Sequence, residues 1–247
     1  MMRPAIYSEP VNHQTADTLA EVLDEPILLT LGHERCTAIL DDIRTHTTPY
    51  TLDGFRVWLP TIPLWLREEA IAALKKGDVG DFIRKTPSLN SLALVACNIS
   101  FLKHRGLYEA ALLKAFVSSA TNRLRDPLLF QRSLFMLADR QKLRDAGDPL
   151  PGPGPYTLYR GVAGVGTLRR ERGLSWTSSV EQATKFAMSD AMDWPLPNPA
   201  ILQAVVSNVE MLSYTDSMGE DEYIVMLSRQ TRIKRLPIDL TLDMLDD

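Results

Sequence analysis

The chain has 247 residues, of which 45% are hydrophobic and 23% charged, a composition typical of a globular protein and unlike that of a disordered chain. Its formal net charge of -4 at pH 7 argues against binding of nucleic acid through bulk positive charge. Its two cysteines, Cys36 and Cys97, are far apart and lack metal-ligand spacing, so neither a disulfide framework nor a metal site is expected.

The first ten residues contain one arginine and no apolar core of signal-peptide length, so we expect no export by the general secretory route. The most apolar stretch, residues 89–102, is shorter than the ~20 residues that a membrane helix needs and is interrupted by polar residues. We therefore expect a buried helix there, no membrane partner and a cytoplasmic location. The glycosylation sequon at Asn98 falls on this helix and is interpreted as a chance match.

Residues 1–60 are mixed in pattern, with one strand expected at residues 55–59. Helical spacing begins after Pro63 and ends at Gly77, which is expected to stop the first helix. A second helix is predicted after Pro87, with Ser88 as its N-cap, continuing to Arg105. Further helices are predicted over residues 107–120 and 127–143. The stretch from 63 to 145 is thus expected to form a helical layer or bundle.

A proline- and glycine-rich segment, residues 148–155, fits neither a helix nor a central strand, because proline removes backbone donors and glycine leaves the backbone unconstrained. Five strands and one helix are predicted beyond it: strands at 156–162, 173–178, 201–207, 222–227 and 232–238, and a helix at 179–192. We expect an α+β fold with a mixed, mainly helical region over residues 1–150 and a catalytic core over residues 151–247.

An arginine stands near the end of the first of these strands, in the run Tyr159-Arg160-Gly161. Strand alternation places Arg160 on the same face as Leu158 and opposite Tyr159. A guanidinium is a fork of fixed donors that can grip a pyrophosphate. For this arginine alone, an exposed position or a structural ion pair is the commoner explanation. The glycines that follow are spaced GxxGxG, which does not match the GxGxxG dinucleotide fingerprint.

Hydroxyl residues alternate along the second strand, in the run Leu174-Ser175-Trp176-Thr177-Ser178. Ser175 and Thr177 are expected on one face and Trp176 on the other. An ordinary strand that buries Trp176 in the core accounts for the run equally well.

Two glutamates precede the apolar part of a later strand, in the run Glu220-Asp221-Glu222-Tyr223. Strand alternation predicts Glu220 and Glu222 on one face with Asp221 opposite. Two close carboxylates raise each other's pKa unless a cation or a charged transition state compensates. A solvated acidic turn before a buried strand is the alternative.

Together and in this order, the three pieces resemble the Arg-Ser-Glu class of mono-ADP-ribosyltransferases over residues 156–238. The resemblance implies a split β-sandwich, NAD as co-substrate and no metal. It implies that Arg160, with Gly161 beside it, braces the NAD cleft, and that Ser175 orients the catalytic glutamate and the nicotinamide ribose. The family's hydroxyl run is usually Ser-Thr-Ser, so Thr177, also placed at the cofactor, or Ser178 could replace Ser175 in a shifted register.

The resemblance also assigns the two glutamates. Glu222 would stabilise the positive charge that develops on the ribose when nicotinamide leaves, and would bind a ribose hydroxyl. Glu220 would take the proton from the incoming nucleophile. In the family, glutamate at this earlier position accompanies arginine acceptors, so a protein arginine is the expected target. The loop over residues 211–219 corresponds to the family's target-recognising turn, where Tyr214 is the candidate contact.

Several functions remain open beside arginine-specific transfer. One is hydrolysis of NAD, and another is a catalytically silent fold that only binds a partner. The third is transfer of ADP-ribose to nucleic acid, for which Arg169, Arg170 and Arg172 are candidate phosphate contacts. The family includes toxins and injected effectors, so delivery into a target cell and an antitoxin or immunity partner are further expectations.

Overall fold

The computed structural model describes residues 48–119, 126, 128–193, 196–216, 219 and 221–238. The chain divides into two compact units, Met1–Ala138 and Asp139–Asp247. The division falls before the proline- and glycine-rich segment at which the sequence placed the boundary, because one further helix belongs to the second unit. Cys36, Glu220 and the apolar runs of the first 47 residues lie outside the described residues.

The first unit contains a short hairpin followed by helices. Their bounds are β1 Tyr50–Leu52, β2 Phe55–Val57, α1 Arg67–Lys76, α2 Val79–Arg84, α3 Ser91–Ala96, α4 Ile99–His104, α5 Tyr108–Ser118 and α6 Leu128–Met136. As predicted, α1 ends at Gly77, which adopts a left-handed conformation with φ of 77°. The Tyr108 hydroxyl, on α5, donates to the carbonyl of Leu134, on α6, over 2.9 Å.

The single helix predicted from Ser88 to Arg105 is wrong, because the structure has two helices with a break at Asn98. The Asn98 side chain accepts from the Trp58 N–H over 2.8 Å and donates to the Trp58 carbonyl over 2.7 Å. Its amide also donates to the Leu94 carbonyl. These bonds satisfy a side chain that is only 2% exposed. Ser88 does not cap a helix either, since it begins a 3₁₀ turn.

The helix predicted over residues 127–143 is also two helices. Asp139 starts the second one, because its carboxylate accepts from the backbone N–H groups of Gln141 and Lys142 over 2.9 and 3.0 Å. No helix in the described part of the chain is both long and apolar enough to cross a membrane.

In its described residues, the second unit has an antiparallel six-stranded sheet and two α-helices. Its elements are α7 Arg140–Asp145, β3 Tyr156–Val162, β4 Ser175–Thr177, α8 Val180–Asp193, β5 Ala200–Val206, β6 Met211–Thr215, β7 Glu222–Val225 and β8 Ile233–Leu236. The order across the sheet is β6-β7-β4-β3-β5-β8. The protein is therefore of mixed α and β class, as predicted.

Strand β6 was missed by the sequence reasoning, which placed a recognition loop over residues 211–219. The first five of those residues form the strand, which pairs with β7 from Met211 opposite Val225 to Thr215 opposite Glu222. A bulge between Met211 and Ser213 interrupts the alternation that would have identified it.

The two faces of the sheet differ in what covers them. One face carries a cluster of buried apolar side chains that includes Leu158, Val162, Trp176 and Tyr223. On the opposite face α8 packs against β3 at Gly161, where an added Cβ would lie 2.5 Å from the Ala187 nitrogen and closer still to a helix carbonyl. A side chain at this position would push the helix off the strand.

Helix α7 covers the same face as α8, at the other end of the sheet. The Ser213 hydroxyl of β6 donates to the Leu143 carbonyl over 3.0 Å. Arg144 donates to the carbonyls of Asn208 over 2.7 Å and Met211 over 3.2 Å. The helix is therefore fastened to β6 and to the turn that precedes it.

Glu210 ties the turn before β6 to the segment after β7. Its carboxylate accepts from the N–H and hydroxyl of Ser207, from the N–H of Ser228 over 2.8 Å and from the hydroxyl of Thr231. Burial acts to raise the pKa of Glu210, but these hydrogen bonds to the charged form outweigh it and hold the pKa at about 2. The ionised carboxylate is thus a structural group.

Acid should destabilise the protein through Glu210. Because the folded pKa lies below the unfolded value, the stabilisation is present above pH about 4.5 and is lost as the pH falls towards 2. Glu210→Gln should lower the free energy of unfolding at pH 7 by about 2 kcal/mol and flatten its decline with acid. Urea unfolding at several pH values measures both effects.

The matched control is Glu181→Gln, which removes an exposed carboxylate that pairs with Lys185 over 2.8 Å. An exposed ion pair of this kind contributes little to stability, so this variant should keep the wild-type acid profile. Equal acid profiles for the Glu210 variant and the wild type would contradict the structural role of Glu210.

Candidate functional site

The three strands that carry the sequence motifs are neighbours in the sheet. Strand β4, with the hydroxyl run, lies between β3, with Arg160, and β7, with Glu222. In the antiparallel registers Thr177 lies opposite both Tyr159 of β3 and Glu222 of β7. Motif residues that are distant in sequence, at positions 160, 175 to 177 and 222, are thus brought into one region.

Thr177 and Glu222 form the centre of this region. Directly opposed residues of antiparallel strands point to the same face, with Cβ atoms about 5 Å apart. Thr177 is 3% exposed and Glu222 is 5% exposed. The pair lies where β4 ends and β7 begins, so a nearly buried carboxylate and a hydroxyl residue share one end of the sheet.

Ser175 is on the same face as Thr177 but lies farther from Glu222. Its register partner on β7 is Ile224, two residues beyond the glutamate, and Ser175 is half-buried. Of the three hydroxyl candidates that the sequence left open, Thr177 is therefore the one placed opposite Glu222.

Arg160 contacts the hydroxyl strand through the backbone. The pairing of β3 with β4 is limited to Tyr159 and Thr177. One residue farther along, the Arg160 Nη1 donates to the Ser175 carbonyl over 2.5 Å. Arg160 shares its face with Leu158, as predicted, and with Val162, so its side chain starts from the face opposite Thr177 and Glu222. The arginine joins two strands where their ladder stops.

Gly173 provides the space for this guanidinium. A Cβ added at Gly173 would lie 2.5 Å from the Arg160 Cζ and 2.8 Å from its Nε. The Gly173 carbonyl accepts from the Trp176 Nε1 over 2.8 Å, which fixes the peptide beneath the arginine. Arg160 is therefore seated by its contact with Gly173 and by its bond to Ser175.

Gly161, the other residue predicted at the cofactor, is buried beneath α8. The N-terminus of this helix is set by the hydroxyl strand, because the Ser179 hydroxyl accepts from the Gln182 N–H over 3.1 Å. The Thr177 Oγ1 accepts from the Ser179 N–H over 3.1 Å. Thr177 at the end of β4 and Ser179, two residues later, thus position the start of α8.

Ser178 and Tyr214 meet at Asp221, a residue to which the sequence reasoning gave no role. The Asp221 carboxylate accepts from the Tyr214 hydroxyl over 2.9 Å, from the Ser178 N–H over 3.2 Å and from the Ser178 hydroxyl. The Tyr214 ring packs on Tyr223 with centroids 4.8 Å apart. Burial is the largest cause of a raised pKa for Tyr214, and the bond to Asp221 adds to it.

The prediction that Glu220 and Glu222 share a face assumes that the strand extends through Asp221. Strand β7 begins at Glu222, and Asp221 has φ of 49°, a left-handed conformation that is incompatible with a continuing strand. A short polar side chain that can bond locally makes this conformation tolerable for aspartate. Glu220 itself lies outside the described residues.

The basic cluster before β4 holds loops together. Arg172 donates to the carbonyls of Ser228 over 2.6 Å and Thr231 over 3.0 Å. Arg169 donates to the Asn198 carbonyl over 2.8 Å. These two guanidinium groups therefore donate hydrogen bonds to backbone carbonyls of the second unit. In the part of the chain that the structure describes, no group of three acidic, histidine or cysteine side chains is placed to hold a metal ion.

The arrangement can do two things chemically. A nearly buried carboxylate interacts strongly with a cationic centre, because the effective dielectric constant near it is lower than in water. A neighbouring hydroxyl can orient that carboxylate or a substrate hydroxyl by hydrogen bonding.

Comparison with known proteins gave no match, whether to a family model, to a curated protein or to a solved structure.

The seating of Arg160 can be tested by a double-mutant cycle. Gly173→Ala should displace the guanidinium and lower the free energy of unfolding by about 1–2 kcal/mol, because the added methyl group overlaps it. In an Arg160→Ala background the same change should cost less than about 0.5 kcal/mol. Denaturant unfolding of the four proteins measures the coupling, and an equal cost in both backgrounds would refute the contact.

Proposed function

We propose that the chain is a mono-ADP-ribosyltransferase that transfers ADP-ribose from NAD to a macromolecular acceptor, with release of nicotinamide. The observation that supports this most strongly is the position of β4 between β3 and β7, which brings a hydroxyl residue opposite Glu222 and an arginine onto the hydroxyl strand. The proposal includes the split β-sandwich of that family as the fold of the second unit.

In the proposed reaction the bond between the ribose C1′ and the nicotinamide nitrogen breaks, and its electron pair stays on nicotinamide. The ribose ring becomes oxocarbenium-like, and Glu222 stabilises its positive charge. A nucleophilic nitrogen of the acceptor then bonds to C1′ and loses a proton to Glu220. Nicotinamide leaves as a neutral molecule, so no metal is required to balance its charge.

Thr177 is the residue that we propose to orient Glu222, in place of Ser175. Its register position is directly opposite the glutamate, whereas Ser175 lies opposite Ile224. Ser175 then contributes mainly through its carbonyl, which holds Arg160. In this proposal Arg160 braces the cleft between β3 and β4 at the point where the two strands stop pairing.

A protein arginine remains the preferred acceptor. The turn between β6 and β7 is acidic, because Asp216 is exposed there and the neighbouring Asp148 carboxylate, also exposed, accepts from the Asp216 N–H over 2.8 Å. Negative charge at this turn favours the approach of a guanidinium and disfavours that of a phosphate backbone. Tyr214 is held by Asp221, so a contact with the target would involve the rest of its half-buried ring.

Hydrolysis of NAD is the second candidate, since water can replace the acceptor at the same site. Both reactions need Glu222, and only transfer needs an ordered acceptor base. Purified protein incubated with labelled NAD, alone and with a cell lysate, separates them. Label on protein that resists nuclease supports transfer to protein, and nicotinamide release without label supports hydrolysis. Label that nuclease removes indicates that the acceptor is nucleic acid.

Glu222→Gln should reduce both transfer and NAD hydrolysis at least 1000-fold, because a neutral amide does not stabilise the developing cation. Glu220→Gln should reduce transfer to arginine and leave hydrolysis within about threefold of wild type. Nicotinamide release and incorporation of labelled ADP-ribose are measured for both variants, with thermal unfolding as the check on folding. Wild-type NAD turnover by a folded Glu222 variant would refute the site.

The assignment of the orienting hydroxyl has its own test. Thr177→Val keeps the shape of the side chain and removes its hydroxyl, and should lower kcat for NAD cleavage by about 10- to 100-fold. Ser175→Ala removes the side chain but not the carbonyl that holds Arg160, and should lower kcat by less than about threefold. A larger loss of kcat in Ser175→Ala than in Thr177→Val would instead assign the orienting role to Ser175.

A further inference from the structure

We propose that Asp221 is a positioning residue that sets the start of β7, and with it the direction of the Glu222 carboxylate. This inference rests on the proposed function for its catalytic consequence. The structural part of it rests on the contacts of Asp221 alone.

The contacts of Asp221 join three separate segments. Its carboxylate accepts from the hydroxyl of Tyr214, the fourth residue of β6, and from both the N–H and the hydroxyl of Ser178, which directly follows β4. Its own N–H donates to the Asp216 Oδ1 over 3.2 Å. We call this set, Asp216, Tyr214, Ser178 and Asp221, the Asp221 clamp. It fastens the chain immediately before Glu222 to both strands that flank β7.

The backbone at Asp221 shows that the clamp acts against a local preference. Asp221 has φ of 49°, a left-handed conformation that is uncommon for non-glycine residues and that aspartate adopts more readily when its side chain is hydrogen-bonded locally. The contacts in this case are the charge-assisted bonds from Tyr214 and Ser178. The chain is thereby turned so that a strand begins at the next residue and Glu222 meets Thr177 in register.

The direction of the proposed catalytic carboxylate of Glu222 depends on the same torsion. Asp221 directly precedes Glu222, so its backbone angles determine how the chain enters β7 and how Glu222 is directed. A positioning role is therefore expected to affect turnover more than the binding of NAD, since placement errors of about 1 Å cost up to about 100-fold in rate.

The chain offers a matched pair of tyrosines for the test. Tyr214 and Tyr156 both pack on Tyr223, with ring centroids 4.8 and 5.4 Å away. The Tyr214 hydroxyl binds Asp221, whereas the Tyr156 hydroxyl binds the Gly152 carbonyl. Tyr214→Phe and Tyr156→Phe thus remove the same group from the same cluster, and only the first touches the clamp.

Asp221→Asn is the direct variant. Asparagine tolerates the left-handed conformation at least as well as aspartate, so this change adds no backbone strain. It replaces one accepting oxygen by an amide donor that faces other donors, and it removes the negative charge. A lower kcat or a faster hydrogen exchange in this variant is therefore attributable to loss of the clamp contacts.

The experiment measures kcat and KM for NAD cleavage, together with hydrogen exchange of the peptide covering residues 213–226, in four proteins: wild type, Asp221→Asn, Tyr214→Phe and Tyr156→Phe. We expect kcat to fall about tenfold or more in Asp221→Asn and about threefold or more in Tyr214→Phe, with KM for NAD within about twofold. Exchange in this peptide should rise in both variants. Tyr156→Phe should match the wild type in kcat and in exchange.

The outcomes separate the clamp from the proposed function. Unchanged exchange in Asp221→Asn overturns the clamp, whatever the activity. Raised exchange with unchanged kcat overturns its positioning role, and equal effects of the two tyrosine variants reduce it to general packing. A wild-type chain without NAD turnover overturns the proposed function and the catalytic consequence of the clamp, while exchange still supports or overturns the clamp itself.

Discussion

The central position of the three-residue strand β4 is the constraint on which the candidate site depends. It pairs with β7 through all three of its residues and with β3 through one, so it is the link between the Glu222 strand and the Arg160 strand. A strand this short contributes few ladder bonds of its own. Burial of Trp176, which is 2% exposed, and the Arg160 bond to the Ser175 carbonyl add to its anchorage.

Side-chain hydrogen bonds connect segments of the second unit where backbone pairing between strands is incomplete. Arg160 bridges the strands after the β3–β4 ladder stops, and Arg172 holds the loop after β7 by three carbonyl contacts. Glu210 connects the turn before β6 to the segment after β7, because its ionised carboxylate accepts hydrogen bonds from both. The two arginines bond to backbone carbonyls, and Glu210 bonds to two backbone N–H groups and two hydroxyls. These bonds satisfy polar groups without requiring a matched charge nearby.

The site is asymmetric across the sheet. Glu222 and the hydroxyl residues of β4 lie on the face that α7 and α8 cover at its two ends, whereas Arg160 originates from the apolar face. The proposed roles follow this division. In the proposed reaction the groups on the hydroxyl face act on the ribose, and the arginine holds β4 through the Ser175 carbonyl. The clamp at Asp221 completes the arrangement by determining where β7 starts.

Local features were predictable from the sequence because they depend on residues close together in the chain. Alternation over a few residues was enough to give the bounds of β3 and the faces of Arg160 and Trp176, and Gly77 was enough to end α1. The helix that became α8 was predicted within one residue at each end. The same local rules failed at Asn98, where a break depends on bonds to Trp58, forty residues away.

Only the tertiary structure decided which strands are neighbours, since pairing depends on contacts between residues distant in sequence. It placed Thr177 rather than Ser175 opposite Glu222, and it converted part of a predicted loop into β6. It also turned Asp221 into a left-handed residue, because donors from Tyr214 and Ser178 converge on its carboxylate. The sequence by itself determined which residue types and elements are present, while the register between strands determined which of them meet.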